Sequence, residues 1–262
     1  MWRNKIVWVT GGSSGLGLAL ATLLDQQGAK IVLLARNEAK LRAAASSLTN
    51  CLGYAVVDLA NIDEIESQYA EISARYGQPQ VLINNAGMSQ RAFIADTSRA
   101  TDQRLFDINY FSPRLLTCCA LPHMMSHGGH VITVSSMAGK LGSPGRASYA
   151  ASKHAIGGWM DCLRSEVHAR GVRVSVISPD FIATELARSA LTGSGEAYGK
   201  IDDELASGNS PEKVAKLALH AIEKGRDDIV IASGKVKWGN WIYRLNSEWY
   251  HKIIRRFYRR HF

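Results

Sequence analysis

The chain has 262 residues and is 46% apolar, enough for one large domain with its own core. Its formal net charge of +8 is gathered at one end: residues 235–262 carry eight Lys and Arg against Glu248 alone, a net +7, which leaves +1 for residues 1–234. A nearly neutral body excludes a general nucleic-acid binder, whose basic residues would cover one face of the domain, and four cysteines without CxxC spacing exclude a disulfide framework and a zinc site.

Along the chain, β-branched runs alternate with helical segments. Strands are expected at 5–9, 30–35, 53–57, 81–84, 130–135, 173–178 and 228–232, and helices at 15–27, 37–48, 62–76, 99–126, 149–169 and 211–224. Most of the strands are apolar on both faces, the pattern of buried parallel strands. The expected class is therefore α/β, a single doubly wound parallel sheet with helices on both faces. Ligands in such sheets bind at the carboxyl ends of the strands. The first strand runs into Thr10-Gly11-Gly12-Ser13-Ser14-Gly15-Leu16-Gly17 and then an apolar helix. Glycines there permit a tight turn and let backbone amides approach a phosphate, with the Ser13 and Ser14 hydroxyls as further donors.

The second strand ends Leu34-Ala35-Arg36-Asn37, with no acid between Asp25 and Glu38. NAD-binding versions of this unit place an acid on the adenosine ribose there. A guanidinium at Arg36 instead suits a 2′-phosphate, which predicts NADP(H). Further on, Tyr149 stands four residues before Lys153 at the start of an apolar helix, so phenol and ammonium share one helix face. An adjacent ammonium lowers a phenol's pKa, and a tyrosine so placed serves as acid or base. Residues 179–210, long and rich in Gly and Ser, are a candidate substrate lid. The loop Leu141–Gly145 and Met137 lie between Ser136 and Tyr149, where they are candidates for the pocket wall. In residues 235–262, Ile242, Leu245, Trp249, Ile253 and Phe257 recur at three- and four-residue spacing and predict one helix with an apolar stripe, which packs on protein or lies in a membrane interface.

Taken together, these motifs resemble the short-chain dehydrogenase/reductase family over residues 1–233; the stretches "TGGSSGLG" and "LLARNEAKL" are similar to 3-ketosphinganine reductases, whereas "NNAGMSQR" and the aromatic-basic tail are similar to the dehydrogenase/reductase member 7 group. The resemblance implies a Rossmann-like domain over residues 1–234, with 235–262 as a basic aromatic extension. It implies an enzyme that holds NADP(H) through Gly11, Ser13, Ser14, Gly15, Leu16, Gly17, Arg36, Asn37, Asp58, Asn85, Ala86, Gly87, Tyr149, Lys153, Pro179, Ile182 and Thr184. It implies a catalytic set of Asn109, Ser136, Tyr149 and Lys153, with no metal. One departure stands out: Asp180 follows Pro179 where the family usually has glycine.

The expected activity is NADP(H)-dependent interconversion of a carbonyl and a secondary alcohol on an apolar, lipid-, steroid- or retinoid-like substrate. The alternatives are a non-catalytic dinucleotide-binding redox sensor and a membrane-surface scaffold. A homodimer or homotetramer is expected, through the helices at 99–126 and 149–169. The N-terminal stretch lacks the features of a signal peptide and no run is long enough to span a bilayer, so a cytoplasmic location with peripheral membrane contact through the tail is the expectation.

Overall fold

A computed structural model of the protein describes residues 1–184, 189–200 and 208–258. Among the described residues, seven parallel strands form one sheet: β1 (Ile6–Thr10), β2 (Lys30–Ala35), β3 (Cys51–Val56), β4 (Val81–Asn84), β5 (Gly129–Val134), β6 (Val172–Pro179) and β7 (Asp228–Ile231). Their order is β3-β2-β1-β4-β5-β6-β7. The chain winds outward from β1 in one direction, returns, and winds outward from β4 in the other. The carboxyl ends of β1 and β4 therefore open a crevice between them.

Alternation along each strand feeds two apolar layers. Val7, Val9, Ile31, Leu33 and Ile83 pack against Leu16, Leu20 and Leu24 of α1 (Gly15–Gln26) and against Val214, Leu219 and Ile222 of α7 (Pro211–Glu223). Trp8, Val32, Leu34 and Leu82 point the other way. They meet Ile65, Tyr69 and Ile72 of α3 (Ile65–Tyr76), Leu116 and Met124 of α5 (Ser112–His127), and Ile156, Met160 and Leu163 of α6 (Ala147–Val167). Each fully buried Leu or Ile in these layers contributes roughly 1.5–3 kcal/mol over its exposed state. The remaining α-helices among the described residues are α2 (Glu38–Ser46), α4 (Arg99–Phe106), α8 (Gly234–Leu245) and α9 (Ser247–Tyr258).

Two expectations are corrected. The single helix expected over 99–126 is interrupted by a π-turn at Asp107–Phe111 between α4 and α5. Pro113 explains the interruption: it has no N–H to give the Asn109 carbonyl one helical turn back. The single tail helix is broken as well. Asn246 is extended (φ −155°, ψ 95°), and its side-chain oxygen accepts the Trp249 N–H at 3.0 Å, which caps α9. The tail is thus a helical hairpin, and the expected stripe does not form one packed face. Ile242, Tyr243, Tyr250 and Ile254 face inward onto Met137, Leu141, Val230 and Ala232, whereas Leu245, Trp249 and Ile253 are exposed. Arg259, Arg260 and the side chain of Phe257 lie outside the described residues, as do residues 185–188 and 201–207 of the expected lid.

Candidate active site

The carboxyl ends of the strands border one cleft of about 1690 Å³, above the usual range for a drug-sized ligand alone. Its first half is built on the glycine loop. Gly11 has a positive φ of 63°, and a Cβ on it would meet the Asn85 Nδ2 at 2.8 Å. A Cβ on Gly17 would stand 2.3 Å from the Gly11 carbonyl oxygen, so only glycine lets the start of α1 lie against this turn. The Thr10 hydroxyl accepts the backbone N–H groups of Asn85 (2.9 Å) and Ala86 (3.0 Å), and the Asn85 side-chain amide donates to the Thr10 carbonyl at 2.9 Å. The two loops that flank the crevice are stapled together in this way.

Ser14 sits at the N-cap of α1 but its hydroxyl makes no capping bond, and the first turn has no acidic residue. Free amide donors and the positive end of the helix remain available to an anion there. Arg36 is exposed at the cleft wall beyond β2, with Lys40 and Asp58 beside the same space. Asn37 caps α2, its Oδ1 accepting the Lys40 N–H at 2.9 Å. The cradle, the unused donors and the volume fit a dinucleotide.

Of the residues expected at the cofactor, Gly11, Ser13, Ser14, Leu16, Arg36, Asn37, Asp58, Asn85, Ala86, Gly87, Tyr149, Lys153, Pro179, Ile182 and Thr184 line the cleft. Gly15 and Gly17 stand behind it: a Cβ on Gly15 would touch Thr184 at 3.2 Å, and Gly17 is packed as described.

The second half gathers Ser136, Tyr149 and Lys153. Ser136 lies just after β5, where its Oγ accepts the Ala138 N–H at 3.1 Å and favours the ionised Tyr149 phenol. Burial pushes Tyr149 above the usual tyrosine range, against a smaller lowering by Ser136, Arg146 and Arg91. The lowering expected from Lys153 is thus not found. The buried Lys153 ammonium turns away to donate to the Val134 carbonyl at 3.0 Å, and desolvation brings its pKa down from 10.5 to about 8. Asn109 is buried in the π-turn and does not line the cleft. Its amide donates to the Met88 carbonyl and to the Ser152 hydroxyl, both at 3.0 Å, and its Oδ1 accepts the Met88 N–H at 3.0 Å.

Sequence reasoning passed over Gln90. It is fully buried, and its Oε1 accepts the Ser148 N–H at 3.0 Å and the Tyr149 N–H at 3.3 Å while its Nε2 donates to Thr97 at 2.9 Å. The residue before α6, Arg146, gives that helix no side-chain cap, so Gln90 satisfies its first-turn donors from 58 residues away. Gln90→Met removes the one oxygen that accepts both N–H groups. Turnover is expected to fall about tenfold, with a stability loss of about 1–3 kcal/mol for the orphaned donors; steady-state rates and urea titration check both figures.

Asp180 also has a local account. It accepts the Ser233 N–H ahead of α8, its own N–H donates to the Ile231 carbonyl at 3.0 Å, and its Oδ1 stands 3.5 Å from the Asn209 amide. The carboxylate thereby ties the loop after β6 to the C-terminal hairpin, a bond that glycine has no side chain to make.

Comparison with known proteins agrees with this architecture. The profile of a family described as short chain dehydrogenase matches residues 5–194, and the chain belongs to that family of oxidoreductases. It is similar to the bovine (Bos taurus) protein named dehydrogenase/reductase SDR family member 7B, with 41% identity over 240 residues, 88% of this chain and 74% of that one. Of the two groups that the sequence resembles, relatives of this kind bear out the member 7 group. A solved short-chain oxidoreductase from a metagenome, in complex with NADP, is 26% identical with a TM-score of 0.72, over 88% of this chain and 98% of that one. A Burkholderia phymatum short-chain dehydrogenase/reductase in complex with NAD shares the fold at 22% identity, with a TM-score of 0.79 over 93% of this chain and 95% of that one.

Proposed function

We propose that the protein interconverts a carbonyl and a secondary alcohol on an apolar substrate, with NADP(H) as the hydride carrier. The observation that carries this reading is the convergence of Ser136, Tyr149 and Lys153 on one cleft beside the glycine loop. When bound, the dinucleotide supplies or accepts the hydride. Tyr149 gives its proton to the substrate oxygen in reduction and takes it back in oxidation. Its raised pKa keeps it protonated, and so ready to give, across the neutral range. Ser136 hydrogen-bonds the same oxygen as charge develops on it. Lys153, which lines the cleft, would hold the ribose of the carrier. The side-chain donors of Asn109 are committed to Met88 and Ser152, so its main-chain carbonyl, which Pro113 denies the usual i+4 donor, is the group that would hold a water toward Lys153.

The NADP preference rests on Arg36, which has no hydrogen-bond or ion-pair partner among the described residues and whose guanidinium at the cleft wall suits a 2′-phosphate. A charged hydrogen bond of roughly 1.5–3 kcal/mol gives about a 10- to 150-fold preference. Arg36→Asp is expected to reverse it, measured by calorimetric titration with both dinucleotides; equal affinities in the unaltered chain would overturn the assignment. Met88, Met137, Leu141, Phe181, Ile242 and Ile254 along the cleft favour an apolar substrate.

A homodimer or homotetramer through α4, α5 and α6, residues 1–234 as the catalytic domain, and a cytoplasmic protein with peripheral membrane contact complete the reading. NADPH oxidation against a carbonyl panel that includes 3-ketosphinganine, steroid ketones and retinal tests it. A redox sensor or a scaffold would bind NADPH and consume none.

A further inference from the structure

We propose that the outer face of the α8–α9 hairpin rests on an anionic lipid surface, which places the mouth of the substrate cleft against the bilayer. The inference deepens the apolar-substrate reading above and rests on it for the passage of substrate. The hairpin has two unlike faces. Its inner face closes the cleft, with Tyr250 buried on Met137 and Leu141. Its outer face leaves Trp238, Trp241, Leu245, Trp249 and Ile253 exposed at 63, 57, 66, 63 and 47%. These are five of the twelve large apolar side chains exposed among the described residues, within sixteen positions of the chain. Trp238 and Ile253 also line the cleft, so the apolar patch and the mouth are continuous.

The charge around this patch selects its occupant. Lys235, Lys237, Lys252, Arg255 and Arg256 are exposed on the same two helices, with Glu248 as the one acid, and Arg244 is held by Asp228 at 3.2 Å. Two copies of this face would bring like charges together, and lysine is depleted from the cores of protein interfaces. Tryptophan beside lysine and arginine suits the headgroup level of a bilayer, where basic residues gain from anionic lipid. No helix among the described residues is long and apolar enough to cross a membrane, so the contact runs along the surface.

The test uses the full chain and vesicles of phosphatidylcholine with or without phosphatidylserine. The chain is expected to pellet with the anionic vesicles at low salt and to release as salt rises. The triple variant Trp241→Glu, Leu245→Glu and Trp249→Glu alters the outer face without touching the cleft lining. It is expected to partition at least about tenfold more weakly and to reduce a vesicle-borne ketone more slowly, while it keeps its NADPH affinity and its rate on a water-soluble carbonyl. Equal pelleting of variant and parent, or none by the parent, overturns the proposal. So does a parent dimer that the variant dissolves without any effect of vesicles, which would assign the face to a second copy. Pelleting does not depend on turnover, so a chain that binds vesicles and reduces no carbonyl would overturn the enzymatic reading and leave the lipid contact standing.

Discussion

Tyr149→Phe is expected to lower turnover by about 10²–10⁴-fold, the usual contribution of a positioned acid or base. NADPH binding should stay essentially unchanged. The ring is buried at the start of α6, and phenylalanine keeps its volume and packing. What is lost is the hydroxyl and its transferable proton, beside Ser136. Ser136 keeps the Ala138 N–H as a partner at 3.1 Å, so the cleft wall has no reason to rearrange. Rates measured with saturating NADPH, together with a fluorescence titration of the cofactor, separate chemistry from binding. Retention of more than about half the activity would be far outside the range for a lost proton donor and would sink the assignment.

The parts of this site legible in the sequence are those set by local pattern. Each of the seven strands lies within a few residues of its expected place, because runs such as Lys30–Ala35 are apolar on both faces and bounded by turns. The glycine loop was legible for a similar reason: strand, glycines and apolar helix are contiguous in the chain. The Tyr149–Lys153 pair follows from the i, i+4 geometry of one helix. Its electrostatics did not follow. Spacing makes the two side chains neighbours, but burial and the Val134 carbonyl determine where the ammonium points and what the phenol experiences.

The missed features depend on partners remote in the chain or on breaks that periodicity does not register. Gln90 looks like any polar residue after Asn84-Asn85-Ala86-Gly87 until the fold lays that segment on the first turn of α6. The π-turn at Asp107–Phe111 hides inside a continuous helical pattern, with Pro113 as the one signal that could have marked it. Asn246, a favoured capping residue two positions before Glu248, could likewise have divided the tail. Asp180 is only a departure from the family pattern in the sequence, because its partner Ser233 is 53 residues away.

Lys153→Met is expected to abolish turnover and, on the same substitution, to flatten the dependence of stability on alkaline pH. The ammonium is held in a buried place that lowers its pKa from 10.5 to about 8. A native pKa below the unfolded one means that the folded chain binds fewer protons between those values. Lys153 therefore costs stability in full below pH 8, by about 3 kcal/mol at roughly 1.4 kcal/mol per pK unit. That cost disappears as pH rises to 10.5, so the unaltered chain gains stability from this group across the interval. Methionine fills similar volume without a charge and removes the gain. It also strips the Val134 carbonyl of its donor, a penalty of about 1–3 kcal/mol that offsets much of the relief at neutral pH. The slope between pH 8 and 10.5 is thus a sharper readout than the midpoint at pH 7. Denaturant titrations of both proteins over that interval give it directly. Catalysis has the matching signature: carbonyl reduction by the unaltered enzyme should fall as pH passes about 8 and the Lys153 ammonium loses its proton. A methionine variant with the parental stability slope would show that the buried ammonium is not the group that titrates there.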